Sequence, residues 1–397
     1  MTLNLSAFLD LSRWLSAFLV VIGHVRHLVL VDLKNVEERS IYVDLIYFVS
    51  GLGHEAVVVF FVISGYLVGG KALDKWIERW PDLRDYAIAR FSRIYTVLIP
   101  ALLVGLTIDA VGLYWFNSSE LYTNSMQYQT DSLGREIASS MDASTFLGDL
   151  LFLQGILTGS LGSNGPLWSL SYEWWYYCIF ALIGVSATSS SRFRLFYLLG
   201  AIALTYLLPE KLVVWGLIWL LGVGAYAWTK SGFHCPNFAL GVAMLALAVV
   251  VSRTSHSVNT IASPESISRD FALGLSYVVA LVGASRSSFV VRFKRLHGWL
   301  ANFSYTTYIF HFPFMIFSVS VLYQVAGLQF RVQPDGEGLL YLFVELVVVY
   351  CYCYFWALVA EKHTDAVRSY LQLKFPRKLA SESYSSVDSS GQEGKSA

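Results

Sequence analysis

Ten apolar runs, the fifth, seventh and eighth of them short, set what this chain can become. They occupy 14–31, 44–70, 95–116, 167–186, 195–209, 211–229, 237–252, 271–285, 298–323 and 338–361. A helix rises about 1.5 Å per residue, so runs near twenty residues cross a hydrocarbon layer about 30 Å thick. The residue balance agrees, with 55% hydrophobic and only 14% charged residues against the ~25% usual in soluble domains. The expected fold is all-α, a polytopic integral membrane protein of about ten transmembrane helices. Nothing in the pattern suggests the two-residue alternation of a barrel. Zero formal net charge removes a global electrostatic case for nucleic acid.

Orientation follows from the basic residues, which favour the cytoplasmic side. With the N-terminus inside, the inner segments carry 20 Lys and Arg and the outer ones 7. Both termini are therefore expected in the cytoplasm. The stretch 146–158 (FLGDLLFLQGILT) is apolar but too short to span, and reads as an interfacial or re-entrant helix. The chain divides into a transmembrane domain, 1–361, and a cytoplasmic tail, 362–397, whose Ser-rich end beyond about 376 is expected to be disordered. The first run lacks an A-x-A-like site and holds Arg13 and His24, so it reads as a retained helix. Cys178, Cys351 and Cys353 in apolar runs and Cys235 in a short loop do not form a disulfide framework and are expected as small buried hydrophobes.

Ionisable groups at membrane depth carry the functional signal, because each is costly unless it faces a bundle interior or a wet cavity. Arg13 and His24 are eleven residues apart, about three turns, so they share a face roughly 16 Å apart along the axis. His24 suits a general base, since imidazole titrates near neutral pH. Arg13 also has Asp10 at i−3 for a salt bridge. Arg90 and Arg93 flank the third run: they are either ordinary inner-face charges or a fork for phosphate oxygens. His54 and Glu55 are adjacent, about 100° apart on a helix, and need not face one site. Ser64-Gly65 suggests close helix packing. Ser163-Asn164-Gly165-Pro166 reads as a helix start. The following WSLSYEWWYY (168–177) could form an interfacial aromatic belt or stack on sugars, and Glu173 is expected on the outer side at about His24's depth. His311 sits midway along the ninth run, as a packed histidine or a site residue. No metal-ligand spacing, nucleotide loop or G-x-S-x-G elbow is evident.

These motifs, taken in order, resemble the membrane acyltransferase-3 family. The resemblance rests on Leu9-Asp10…Arg13 with the spacing to His24, FFVISGYL at 60–67, Arg90-x-x-Arg93, WSLSYE at 168–173 and YIFHFP at 308–313. It covers the chain from Leu9 to about 361. It implies a helical membrane enzyme that uses acyl-CoA as donor to O-acylate extracytoplasmic glycans, acting in the inner membrane. It also implies a catalytic role for His24 and donor-binding roles for Arg13, Arg90 and Arg93. Glu173 and His311 match motif positions and join the catalytic set; no metal is expected. The resulting reading is an O-acetyltransferase whose partners are acyl-CoA, a glycan or lipid-linked saccharide, and the bilayer. The rival is a transporter or flippase, because ionisable groups also line transport pathways, although no repeat symmetry is visible.

Overall fold

All ten apolar runs fold into helices. The computed structural model describes residues 3–78, 82–128, 135–188, 193–231, 233–254, 264–287 and 292–376. In chain order the helices are α1 (Leu3–Val29), α2 (Ile41–Ser50), α3 (Gly53–Ser64), α4 (Lys71–Glu78), α5 (Leu83–Trp115), α6 (Ala143–Leu150) and α7 (Trp168–Thr188). They continue with α8 (Arg194–Leu207), α9 (Glu210–Lys230), α10 (Phe238–Thr254), α11 (Pro264–Arg286), α12 (Lys294–Asn302), α13 (Ser304–Ala326), α14 (Gly336–Val359) and α15 (Thr364–Lys374). The Ser-rich tail from 377 lies outside the described residues. By length and composition, seven helical segments among the described residues can cross a membrane. α8 and α10 are apolar but shorter, at 14 and 17 residues. The protein is thus an all-α, multi-pass membrane protein. Large apolar side chains such as Phe196, Tyr206 and Leu207 on α8 and Phe343 and Phe355 on α14 point outwards, as lipid-facing positions would.

α1 is the hub, packing against α3, α11, α12, α13 and α14. Loops assigned to one side by charge counting meet at one end of the bundle. Lys294 reaches Asn4, Lys230 reaches Asp74, and the Arg84 guanidinium reaches the Gln372 carbonyl. At the opposite end Arg331 pairs with Asp32, Arg253 donates to the Gly51 carbonyl, and Gln324 donates to the Trp115 carbonyl.

Several helices differ in extent from their runs. The second run breaks at Gly51-Leu52 and then widens into a π-helical turn over Gly65–Gly70 before α4. α5 starts at Leu83, capped by Asp82, which accepts from Asp85 N. Arg90 and Arg93 therefore lie inside a helix and not at its end. The stretch 146–158 is not one helix: α6 stops at Leu150 because Phe152 and Gly155 take positive φ. The Leu150 carbonyl then accepts from Tyr95 and the Phe152 carbonyl from Trp175. The loop that follows is drawn into the bundle. Both oxygens of buried Asp109 accept from the Ser163 hydroxyl, and one also accepts from Ser163 N. Asn164 Nδ2 donates to the Ile309 carbonyl at 3.1 Å. That carbonyl is the one left without a helical donor by Pro313, four residues later. Of the cysteines, Cys353 is buried and Cys351 exposed on different faces of α14, Cys178 on α7 is half-buried, and Cys235 is half-buried in the loop between α9 and α10.

Candidate active site

The charged end of the bundle opens into a cavity of about 960 Å³ whose walls come from α1, α3, α5, α7, α12, α13, α14 and the chain after it. Arg13, Arg90 and Arg93 all line it, so the structure brings together the three arginines singled out in the sequence. Arg13 is only loosely paired, 3.8 Å from Asp10. Arg93 lies closer to its acid, 2.7 Å from Glu361 and over the Tyr305 ring. Glu361 is itself fixed by the Thr306 hydroxyl and backbone N–H. Arg90 rests between the rings of Tyr86 and Tyr177, and its buried Nε has no hydrogen-bond partner among the described residues. A buried guanidinium N–H without an acceptor is costly, and an anion entering the cavity would satisfy it.

Above the cavity wall, the parallel rings of His24 and His311 lie edge to edge with centroids 5.2 Å apart and His24 Nδ1 2.9 Å from His311 Nε2. The hydrogen-bond network assigns the tautomers. His311 Nδ1 faces two carbonyls of its own helix, Thr307 at 3.0 Å and Tyr308 at 2.9 Å. Carbonyls only accept, so Nδ1 carries the proton and neutral His311 presents a lone pair at Nε2. His24 must then donate from Nδ1, which puts its own lone pair on Nε2. The arginine cavity and the histidine pair adjoin through α13: Tyr308, on the cavity wall, is one turn from His311.

Glu173 is not where the sequence placed it. Its carboxylate lines the arginine cavity, accepting from the Ser64 and Tyr177 hydroxyls, and Trp219 donates to Ser64 at 3.1 Å. The cause is the inserted loop before α7. It lets that helix begin deep in the bundle, where Ser169 meets the Tyr308 hydroxyl at 2.6 Å, near the start of α13. The expected outer position assumed that α7 starts at the far surface. Nor do the α7 aromatics form a belt: Trp168 packs on Phe61 and Trp215, and Trp174 stacks on Phe152.

A family model for an acyltransferase domain, acyltransferase-3, matches residues 6–361. The chain belongs to the acyltransferase-3 family. No curated protein and no solved structure gives a significant match. The protein is therefore a membrane acyltransferase, and the polar groups within it can be sorted accordingly. His54 and Glu55 serve neither the cavity nor the histidine pair. His54 binds Asp270 at 2.7 Å and Glu55 accepts from Ser252 at 2.7 Å, different partners, as their angular separation implies. Ser64-Gly65 does mark a close approach, because a Cβ at Gly65 would strike the Trp219 carbonyl. Sequence reasoning missed Glu361, Lys71, Lys362 and Arg368, which also line the acyltransferase cavity. For Glu361 the available signal was an acid at the end of the last apolar run.

Proposed function

We propose that this acyltransferase takes an acyl group, acetyl in the simplest case, from acyl-CoA and delivers it to a hydroxyl of an extracytoplasmic glycan. The observation that carries this reading is the arginine cavity ending one helical turn from a histidine pair of fixed tautomer. Guanidinium groups bind phosphate oxygens through paired N–H bonds, which suits the pyrophosphate of CoA to Arg13, Arg90 and Arg93. The pantetheine arm then extends along α1 towards His24, the distance between Arg13 and His24 being three turns. The 20-to-7 basic bias supports the arginine end as cytoplasmic, with ten crossings in an inner membrane. His24 lies five residues from the far end of α1, which suits an acceptor arriving from the opposite side.

In the reaction His24 Nε2 takes the proton of the acceptor hydroxyl as its oxygen attacks the thioester carbonyl. The tetrahedral intermediate collapses with cleavage of the C–S bond, and the CoA thiolate leaves with that proton. His311 is a positioning residue: its Nε2 accepts the His24 Nδ1–H, holds the productive tautomer and steadies the imidazolium. Glu173 touches Ser64 and Tyr177 on the donor side, so its contribution is to shape the donor cavity. A relay through an acyl-histidine would use the same nitrogen as nucleophile.

The test is transfer of label from acetyl-CoA, radioactive in the acetyl group, to glycan by purified protein in liposomes. Incorporation that depends on the protein and on His24 is expected. Solute movement without incorporation would overturn the proposal in favour of transport.

A further inference from the structure

We propose that the C-terminal helix α15 completes the donor site, with Lys362 and Arg368 reading the 3′-phosphate on the ribose of acyl-CoA. This rests on the donor reading above. It goes beyond the family match, which stops at residue 361, just before α15.

The helix after the last long span would ordinarily count as a loose tail. Here two arginines of α5 hold it. Arg93 grips Glu361 at its start, and Arg84 donates to the Gln372 and Phe375 carbonyls at its end. A guanidinium on the last carbonyls of a helix both satisfies them and complements the helix dipole. The two anchors are nine residues apart on α5, about 13.5 Å by helical rise, and Arg90 lies between them. The segment between the anchors is therefore held against α5 beside the cavity. Thr364, Asp365 and Arg368 of α15, with Lys362 just before it, line the same cavity as Arg90 and Arg93.

The cations form two tiers. Arg13, Arg90 and Arg93 are partly covered and lie deeper, whereas Lys71, Lys362 and Arg368 are exposed at the mouth. None of the outer three makes an ion pair among the described residues. Acyl-CoA carries its anions in a matching order. The thioester and pantetheine lead, the pyrophosphate follows, and the 3′-phosphate comes last. A molecule with its thioester directed at His24 and its pyrophosphate on the inner tier leaves the 3′-phosphate at the outer tier. The dianion there meets Lys as a point charge and Arg as a fork.

The experiment compares acetyl-CoA with 3′-dephospho-acetyl-CoA as donors for the full chain in lipid nanodiscs. KM and kcat are measured for wild type and for the double variant Lys362→Glu, Arg368→Glu, and CoA binding by calorimetry. Wild type should show a KM for the dephospho donor roughly tenfold higher, as expected for exposed charge contacts of this kind. The double variant should raise KM for acetyl-CoA to near that level, with little change in kcat and little for the dephospho donor. Equal KM for the two donors in wild type, or a variant that weakens both alike, would overturn the proposal while leaving acyl-CoA as donor. Absence of CoA binding to wild type would overturn the donor reading itself and this inference with it. Lys362→Gln, Arg368→Gln removes charge without reversal and should give a smaller shift in the same direction.

Discussion

At the scale of single residues, the histidine pair makes the sharpest demands. His24→Gln keeps a hydrogen-bonding side chain but no base, so transfer should fall by ~10²–10⁴. Acyl-CoA binding, followed by calorimetry, should persist; near-normal transfer would leave His24 as packing alone. His311→Ala should lower kcat without raising the donor KM, because it acts through His24, and a KM effect of equal size would contradict that role. The arginines are not equivalent as tests. Arg93→Ala would leave the buried Glu361 carboxylate held by Thr306 alone, costing about 1–3 kcal/mol of stability on top of any effect on binding. Arg90 has no carboxylate partner among the described residues, so Arg90→Lys is the cleaner probe. It should raise the donor KM and spare folding, since the charge stays while the fork is lost. An unchanged KM in folded Arg90→Lys protein would remove Arg90 from the donor site.

At the scale of elements, two helix contacts decide the cavity's shape. Gly65 and Gly222 press α9 against the π-helical turn: a Cβ at either would collide with a carbonyl, Trp219 or Val62 respectively. Gly65→Ala should therefore destabilise by about 1–3 kcal/mol through forced backbone movement. It should also shift Ser64 and with it Glu173. Thermal unfolding in detergent would register the first effect and donor KM the second, and a neutral Gly65→Ala would show the contact to be slack. The loop before α7 is pinned by Asn164 on the carbonyl that Pro313 leaves open. Asn164→Leu removes that donor from a buried acceptor and should cost a similar amount. The apolar pattern of 146–158 concealed this arrangement, since no periodicity announces a left-handed Phe152 or a loop held by Asp109.

At the scale of the whole molecule, the alternation of loops between two ends is the quantity to test. A reporter active only outside the cytoplasm should work when fused after residue 118 and fail after residue 234. The first position adjoins Trp115 at one end of the bundle and the second adjoins Lys230 at the other. Activity at both positions, or at neither, would break the proposed ten-crossing orientation. The basic asymmetry that sets this orientation also favours a polyanionic donor on the same side, so raising salt should weaken the donor KM more than kcat.

Apolar run length and the placement of costly ionisable residues were enough to read the helical membrane fold, the shared face of Arg13 and His24, and the grouping of Arg90 with Arg93. These are local properties, set by rise per residue and by the expense of charge in lipid. What lay beyond the sequence depended on contacts distant in the chain. The His24–His311 bond joins residues 287 positions apart, and the Arg93–Glu361 pair bridges α5 to the end of α14. Glu173 was misplaced because depth in a membrane is counted from where a helix begins. Here that start is set by side-chain bonds to a buried loop and not by hydropathy.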